Sequence, residues 1–305
     1  MTTTGNRVAA IVVNYASSQH LGALVSSLRS EDVAAIIIWD NYSSDDERQA
    51  VKAVADMDPR VRLRLAEANC GFGPGVNEAV AWFRSEDSAD FFWILNPDVT
   101  VREGTLDQLL QTAHKREVDI ISPLIVSPGS GRVWYSGGAV DTKRGRTEHF
   151  RIGLPVGKAD TGYEEVSFVS GAAPLVSATA WSTLGGFSEQ FFLYCEDADL
   201  SLRATRAGLR QAVDRAAVVE HAEGGSSTGG SGPGPTFYYY VQRNRIGLYS
   251  GYTSRVNLLL GAGLVETLKL LLLTFRPLDR RALSRFSASL DGLRAGLRGE
   301  QGPRL

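Results

Sequence analysis

Within the run Gly185–Arg203 (GGFSEQFFLYCEDADLSLR), the three clustered carboxylates Glu196, Asp197 and Asp199 lie beside Phe187, Phe191, Phe192, Tyr194 and the nearby Trp181. An acid facing an apolar wall resists ionisation, which moves its pKa toward the range of a useful general base. The same acids also read as the start of a helix, complementing its macrodipole; that explains Glu196 and Asp199 in part but does not require the aromatics. Asp98 follows the apolar run Phe91–Leu95 in Leu95-Asn96-Pro97-Asp98-Val99, and two-residue alternation puts Asn96 and Asp98 on one side. Oxygen donors of this kind suit a hard divalent cation that also binds phosphate oxygens, although Asn, Pro and Asp are equally the residues of a turn closing a strand. His221, in Val218-Val-Glu-His-Ala-Glu, ends another apolar run. It is either structural or a third ligand to that cation.

The fourth cluster is Asn69-Cys-Gly-Phe-Gly-Pro-Gly-Val-Asn77. Its Gly71-x-Gly73 spacing imitates a dinucleotide-binding turn, but that turn belongs after a first strand with an acid about 20 residues on. Here it follows the third expected strand and contains Pro74. Two readings stay open: glycines needed for a tight turn, or a close backbone approach to a ligand whose base, ribose or phosphate the Asn side chains could bond.

These residues need elements to carry them. Short apolar runs at Arg7–Val13, Ala34–Trp39, Val61–Leu65 and Phe91–Leu95 alternate with amphipathic stretches at Ser18–Arg29, from Ser44 onward, and at Val76–Arg84. That alternation predicts a mostly parallel sheet covered on both faces, with ligands at the carboxyl ends of the strands. Asn14, Asp40, Asn69 and Asp98 fall at such ends. Residues 128–162 loosen into excursions and a hairpin, regularity returns at Val166–Gly171, and the Gly/Ser/Pro stretch 224–235 reads as a mobile loop before an aromatic helix at Phe237–Tyr249.

Length and composition bound the rest. The 305 residues, 43% hydrophobic and 22% charged, support one large or two modest globular domains and exclude disorder as the main state. Two cysteines, Cys70 and Cys195, are too few for a disulfide framework and are expected reduced. The polar start Met1–Asn6 and the lack of a long uncharged apolar stretch predict a cytoplasmic chain. Charge is uneven: residues 1–241 hold 21 Lys and Arg against 30 Asp and Glu, whereas residues 242–305 hold 11 against 4. Val256–Phe275 is apolar but interrupted by Asn257, Glu266 and Lys269, too broken to span a bilayer. Flanked by Arg255, Arg276, Arg280, Arg281 and Arg285, residues 255–285 are expected either to lie on an anionic membrane surface or to pack as a helix on the protein. Nucleic acid is the rival for a basic tail, and is not expected as a partner.

In this order the clusters resemble glycosyltransferase family 2, and within it the rhamnosyltransferases. The resemblance rests on Ile11-Val-Val-Asn-Tyr15, Asp40-Asn41-Tyr42-Ser43-Ser44-Asp45, the Asn69–Asn77 loop, Leu95-Asn-Pro-Asp98, Ser170-Gly171-Ala172, the Gly-Gly-Phe to Glu-Asp run and Arg243-Asn244. It implies an α/β GT-A fold over residues 1–250, a mostly parallel central sheet with helices on both faces, and a basic, Leu-rich helical extension over 251–305. It further implies an inverting transfer of a sugar, rhamnose first, from dTDP-rhamnose or a UDP-sugar to a glycan or polyprenyl-linked acceptor. Asp197, with Glu196 beside it, takes the place of the catalytic base. Asp40 would contact the pyrimidine or ribose. Asn14, Tyr15, Asn41, Asn69, Gly71, Gly73 and Asn77 would line the nucleotide pocket, with Asn96 and Gly171 completing the donor site. Asp98 and His221 would hold Mg²⁺ or Mn²⁺ on the diphosphate; Asn96 stands where the wider fold has the first acid of Asp-x-Asp. The alternatives are a sugar nucleotidyltransferase, whose Gly-rich basic first loop Asn14-Tyr-Ala-Ser17 lacks, and a non-catalytic nucleotide- or carbohydrate-binding module.

Overall fold

All seven side chains of β1 (Val8–Asn14) are buried, as are all six of β2 (Ala35–Asp40) and all five of β4 (Phe91–Leu95). Strands without a polar face need cover on both sides, which is the condition for a parallel sheet clothed in helices. The computed structural model describes residues 6–157, 161–222 and 233–304. Most of the expected 224–235 loop lies outside them.

In chain order the remaining elements of the first half are α1 (Ser18–Ser27), α2 (Asp45–Ala55), β3 (Val61–Leu65), α3 (Phe72–Glu86), β5 (Val99–Val101), α4 (Thr105–Arg116) and β6 (Ile120–Ser127). The second half adds β7 (Arg132–Tyr135), β8 (Gly138–Asp141), β9 (Arg146–His149), β10 (Tyr163–Glu165), β11 (Leu175–Ser177), α5 (Ala178–Leu184), α6 (Glu196–Arg206) and β12 (Gln211–His221), then α7 (Pro235–Tyr249), α8 (Arg255–Leu260), α9 (Leu264–Leu273) and α10 (Ala282–Arg298). The main sheet runs β10-β12-β6-β11-β4-β1-β2-β3, with β5 added on β12 and β7 on β6. Strands β3, β2, β1 and β4 are mutually parallel, and β1 pairs Asn14 with Asp40 on β2 and Val12 with Leu95 on β4. The chain leaves β1 in one direction and returns on its other side at β4, a switch point that opens a crevice at the carboxyl ends.

Beyond β4 the sheet is mixed. Three-residue β11 slips in antiparallel between β4 and β6, while β6 and β12 are parallel. The expected hairpin in 128–162 is β8 with β9. Val166–Gly171 forms no strand; Phe168 only bridges to Gly138, since Val166 N bonds the Gln211 carbonyl and Val169 N the Ser201 hydroxyl. Helix α3 starts at Phe72, four residues before the expected Val76, so the glycine cluster is the helix's first turn and not a loop ahead of it.

The C-terminal helices close on the rest. Gly292 and Gly296 of α10 lie against the backbone of α7: a Cβ on Gly292 would overlap the Tyr239 carbonyl, and one on Gly296 would sit 2.7 Å from that of Arg243. Val256–Phe275 is not one helix; Gly261-Ala-Gly263 separates α8 from α9. Among the described residues no helix is long and apolar enough to cross a membrane. Three of the tail's eleven basic residues are internal. Arg243, Arg245 and Arg285 are 1–2% exposed, and Arg245 and Arg285 donate to main-chain carbonyls, Arg245 to Gly145 and Gly263 and Arg285 to Thr274 and Pro277. Arg285 is therefore removed from the set expected to meet lipid.

Candidate active site

The floor of the crevice is built by neighbouring strand ends. Asn14 donates to Asp40 Oδ1 at 3.0 Å, Arg48 from α2 pairs with the other oxygen at 3.2 Å, and the Arg48 guanidinium lies 4.6 Å over the Tyr42 ring. Asn14 and Asp40 are fully buried, and Asn14 Oδ1 has no partner. A buried unpaired acceptor is costly, so a ligand N–H that reached it would be favoured. Tyr15 stands exposed at the rim.

The other expected donor-site residues have protein partners. Asn41 donates to the Gly71 carbonyl at 2.7 Å and accepts from Trp39 and Cys70. Asn69 accepts from Gly71 N at 2.9 Å, closing the turn. Asn77 bonds both backbone groups of Phe187, each at 2.9 Å, across 110 residues. The glycines serve contact too. Gly71, at φ 99°, has Phe192 so close that a Cβ would overlap its carbonyl, and a Cβ on Gly73 would lie 2.9 Å from Phe187 Cβ. The turn's close approach is thus made to the 187–192 loop, and Asn41 and Asn77 hold the two faces together.

Asp98 and His221 meet at the crevice's other side. His221 Nε2 is 3.1 Å from Asp98 Oδ1 and 3.3 Å from Asn96 Nδ2, because antiparallel pairing of β12 with β5 sets His221 opposite Val99. Burial pushes the Asp98 carboxyl up, but the hydrogen bond and charge of His221, with His20 helping, bring it below the usual carboxylate range. A carboxylate and an imidazole fit Mg²⁺ or, better, Mn²⁺. No group of three or more His, Cys, Asp or Glu suited to a metal occurs among the described residues, so the remaining positions would fall to phosphate and water oxygens.

The acids open α6. Tyr194 and Cys195 both have positive φ, 68° and 70°, an uncommon backbone for such residues, and this turn aims Glu196 and Asp197 in different directions. Asn244 of α7 holds it by donating to the carbonyls of Leu193 and Tyr194 at 2.9 and 2.8 Å. Glu196 turns inward toward Gly73 and Phe187, where burial and then the charge of Asp197 raise its pKa to about 8. Asp197 stays partly open. Its oxygens accept from Gly171 N at 3.1 Å and Ala198 N at 2.8 Å. Burial raises its pKa, while those amides and the nearby His149 pull against the shift.

One short segment gauges the distance between the two acids. Ala172 O accepts from Asn96 N at 2.9 Å, while the adjacent Gly171 N holds Asp197. Asp197 and the Asn96 backbone, two residues before Asp98, are thereby tied to successive residues of one turn. Residues that the sequence reading missed gather here. Trp134 packs edge-on between His149 and His221, with ring centroids 5.5 and 4.6 Å away, and the charge of His20 helps to lower the Asp98 carboxyl. Three of the chain's four histidines thus converge on the two acids. Their scarcity was the one signal that could have found them.

The family model described as Glycosyl transferase family 2 matches residues 9–175. The chain is 30% identical over 233 residues to N-acetylglucosaminyl-diphospho-decaprenol L-rhamnosyltransferase of Mycobacterium tuberculosis, covering 69% of this chain and 75% of that one. It is 26% identical over 210 residues to rhamnosyltransferase WbbL of Escherichia coli, covering 66% and 77%. Among solved structures it is similar to mannosyltransferase PcManGT from Pyrobaculum calidifontis in complex with GDP-Man and Mn²⁺, with a TM-score of 0.60, 12% identity, and coverage of 97% of this chain and 88% of that one. GalNAc-T7 with UDP, GalNAc and Mn²⁺ gives 0.58 at 15% identity, over 79% of this chain and 48% of that one. These two likenesses establish the GT-A fold.

Proposed function

This chain belongs to glycosyltransferase family 2, and we propose that it is an inverting enzyme moving rhamnose from dTDP-rhamnose, or failing that a sugar from UDP, to a hydroxyl of a lipid-linked saccharide. The names of the rhamnosyltransferase relatives support the sugar, and the diphospho-decaprenol in one of them supports the acceptor. The observation that supports this reaction type is the 171–172 turn, whose Gly171 N–H holds Asp197 while its Ala172 carbonyl holds the Asn96 backbone two residues before Asp98.

In this reading the crevice floor above Asn14 and Asp40 receives the nucleotide. Tyr15 shields the rim. Asp40 fixes Asn14 from beneath, and Asn41, Asn69, Gly71, Gly73 and Asn77 shape the wall. Asp98 and His221 would hold Mg²⁺ or Mn²⁺, which supplies positive charge to the diphosphate as it leaves. Asp197 takes the proton of the acceptor hydroxyl as its oxygen forms a bond to the anomeric carbon; the bond from that carbon to the diphosphate breaks on the opposite face, inverting configuration. One base suffices because the leaving group needs no proton. Glu196, buried and turned away, keeps the Asp197 backbone in place without touching substrate.

The acceptor's lipid gives the C-terminal helices a purpose. Val265, Leu268 and Leu272 of α9 are exposed at i, i+3 and i+7, and Val256, Leu260, Leu278 and Leu283 extend the apolar surface. With Arg276, Arg280 and Arg281 also exposed, this face suits a peripheral position at an anionic membrane surface. The test of the donor site is thermal unfolding with dTDP, UDP and GDP, each with Mg²⁺, Mn²⁺ or chelator, in wild type and Asp98→Ala. At a hundred times its dissociation constant a ligand adds ~2.7 kcal/mol, which is roughly a few degrees here. A metal-dependent shift with a pyrimidine diphosphate, lost in Asp98→Ala, is expected; no shift with any nucleotide would refute the reading.

A further inference from the structure

On the far side of the catalytic turn, the α7–α10 seam and the C-terminal residues that fold back over it enclose a groove of about 430 Å³. Arg243, Arg294, Arg298 and Arg304 line it, against only Asp291 and Glu300. Three of the arginines hold acids loosely at the surface: Arg294 and Arg304 each reach Asp291 at 3.2 Å, and Arg298 reaches Glu300 at 3.4 Å. Exposed pairs of this kind contribute little and give way readily to a stronger anion.

Arg243 is different. It is 1% exposed, its Nε donates to Asn244 Oδ1 at 2.9 Å, and its guanidinium stacks 4.7 Å from the Tyr240 ring. Its Nη2 has no hydrogen-bond partner, and no carboxylate pairs with it among the described residues. A buried guanidinium without an acid is an incomplete charge pair. The remaining arginines and the Tyr239 ring, over which Arg304 also lies at 4.3 Å, surround the place where its partner would sit.

We propose that this groove is an anion site for a phosphate-bearing ligand, separate from the donor crevice. Planar guanidinium groups match phosphate oxygens two at a time, and several converging on one cavity favour a multiply charged group over a carboxylate. The site abuts the catalytic loop: Gln301 and the Gly302 amide both bond Gln190, and Asn244, bonded to Arg243, holds the Leu193 and Tyr194 carbonyls. The ligand therefore orders the same loop that presents Asp197, a consequence that rests on the transferase reading; the binding itself does not.

The probe is inorganic pyrophosphate, titrated by calorimetry into the full chain with chelator present. Wild type and Asp98→Ala should bind alike, while the surface double variant Arg298→Gln/Arg304→Gln should bind at least tenfold more weakly with unchanged unfolding temperature. No binding to wild type, equal binding by the double variant, or loss in Asp98→Ala would each overturn the proposal. The source is then assigned with phosphatidylcholine vesicles carrying phosphatidic acid. Capture that pyrophosphate reverses, and that the double variant lacks, identifies a lipid headgroup; pyrophosphate binding with no such competition identifies a free anion. Because no arm reads turnover, failure here leaves the transferase reading standing, and failure of the nucleotide test leaves this one standing.

Discussion

Glu196 and Asp197 are neighbours in sequence with opposite surroundings, and the different roles proposed for them rest on that difference. Glu196 has a buried oxygen with no partner, whereas both oxygens of Asp197 are held by amides and part of it faces the crevice. Burial raises Glu196 from 4.5 to about 8, so the folded protein keeps a proton there that the unfolded chain loses. Its contribution is complete below about pH 4.5 and fades as pH rises toward 8, at most ~1.4 kcal/mol per pH unit. Glu196→Gln should remove that slope. Its unfolding temperature relative to wild type should climb between pH 5 and pH 8; a constant difference would mean that Glu196 ionises normally in the fold. The sequence made both acids visible, through their aromatic company. It did not show which would stay open, because that depends on the two left-handed residues before them.

Elements decide what the residues can reach. The alternation of apolar runs and amphipathic stretches made the parallel half legible, since β1, β2 and β4 are buried on both faces and carry no competing pattern. Three-residue β11 was not legible. Nor was the role of Asn244: in sequence it is one polar residue in an aromatic helix, and only the packing of α7 under the 193–194 turn makes it a clamp. Removing two hydrogen bonds from a strained turn should loosen Asp197 more than the donor floor. Asn244→Ala is expected to lower kcat roughly tenfold, with the donor's KM changed little, as befits ~1–3 kcal/mol of lost positioning. A rise in KM alone would place Asn244 in substrate binding instead. His20, His149 and Trp134 were hidden for the same reason, since three separate elements bring them to acids far away in the chain.

For the whole molecule, the excess of basic residues after Val241 pointed to a surface, and the fold divides it. Arg243, Arg245 and Arg285 are internal and Arg294, Arg298 and Arg304 line the α7–α10 groove, while the exposed Arg276, Arg280 and Arg281 share the region from α8 to the start of α10 with the exposed leucines. That arrangement supports the proposed peripheral membrane contact through about 255–283. Vesicles of phosphatidylcholine and phosphatidylglycerol should sediment the full chain. Leu260→Glu/Leu272→Glu/Leu278→Glu, at sites 75%, 67% and 84% exposed, should remain in the supernatant without loss of stability. Equal sedimentation of the two proteins would show that these helices do not meet lipid.

The central claim is that Asp197 is the base of an inverting sugar transfer whose donor is held elsewhere, at the crevice floor and at Asp98. It is tested most directly by measuring transfer from dTDP-rhamnose to a polyprenyl-diphosphate N-acetylglucosamine acceptor by wild type and Asp197→Asn, with dTDP binding measured in the same preparations. Asp197→Asn should bind dTDP with metal as wild type does and turn over ~10²-fold or more slowly. Equal turnover by the two proteins, or nucleotide binding lost together with turnover, would contradict the account.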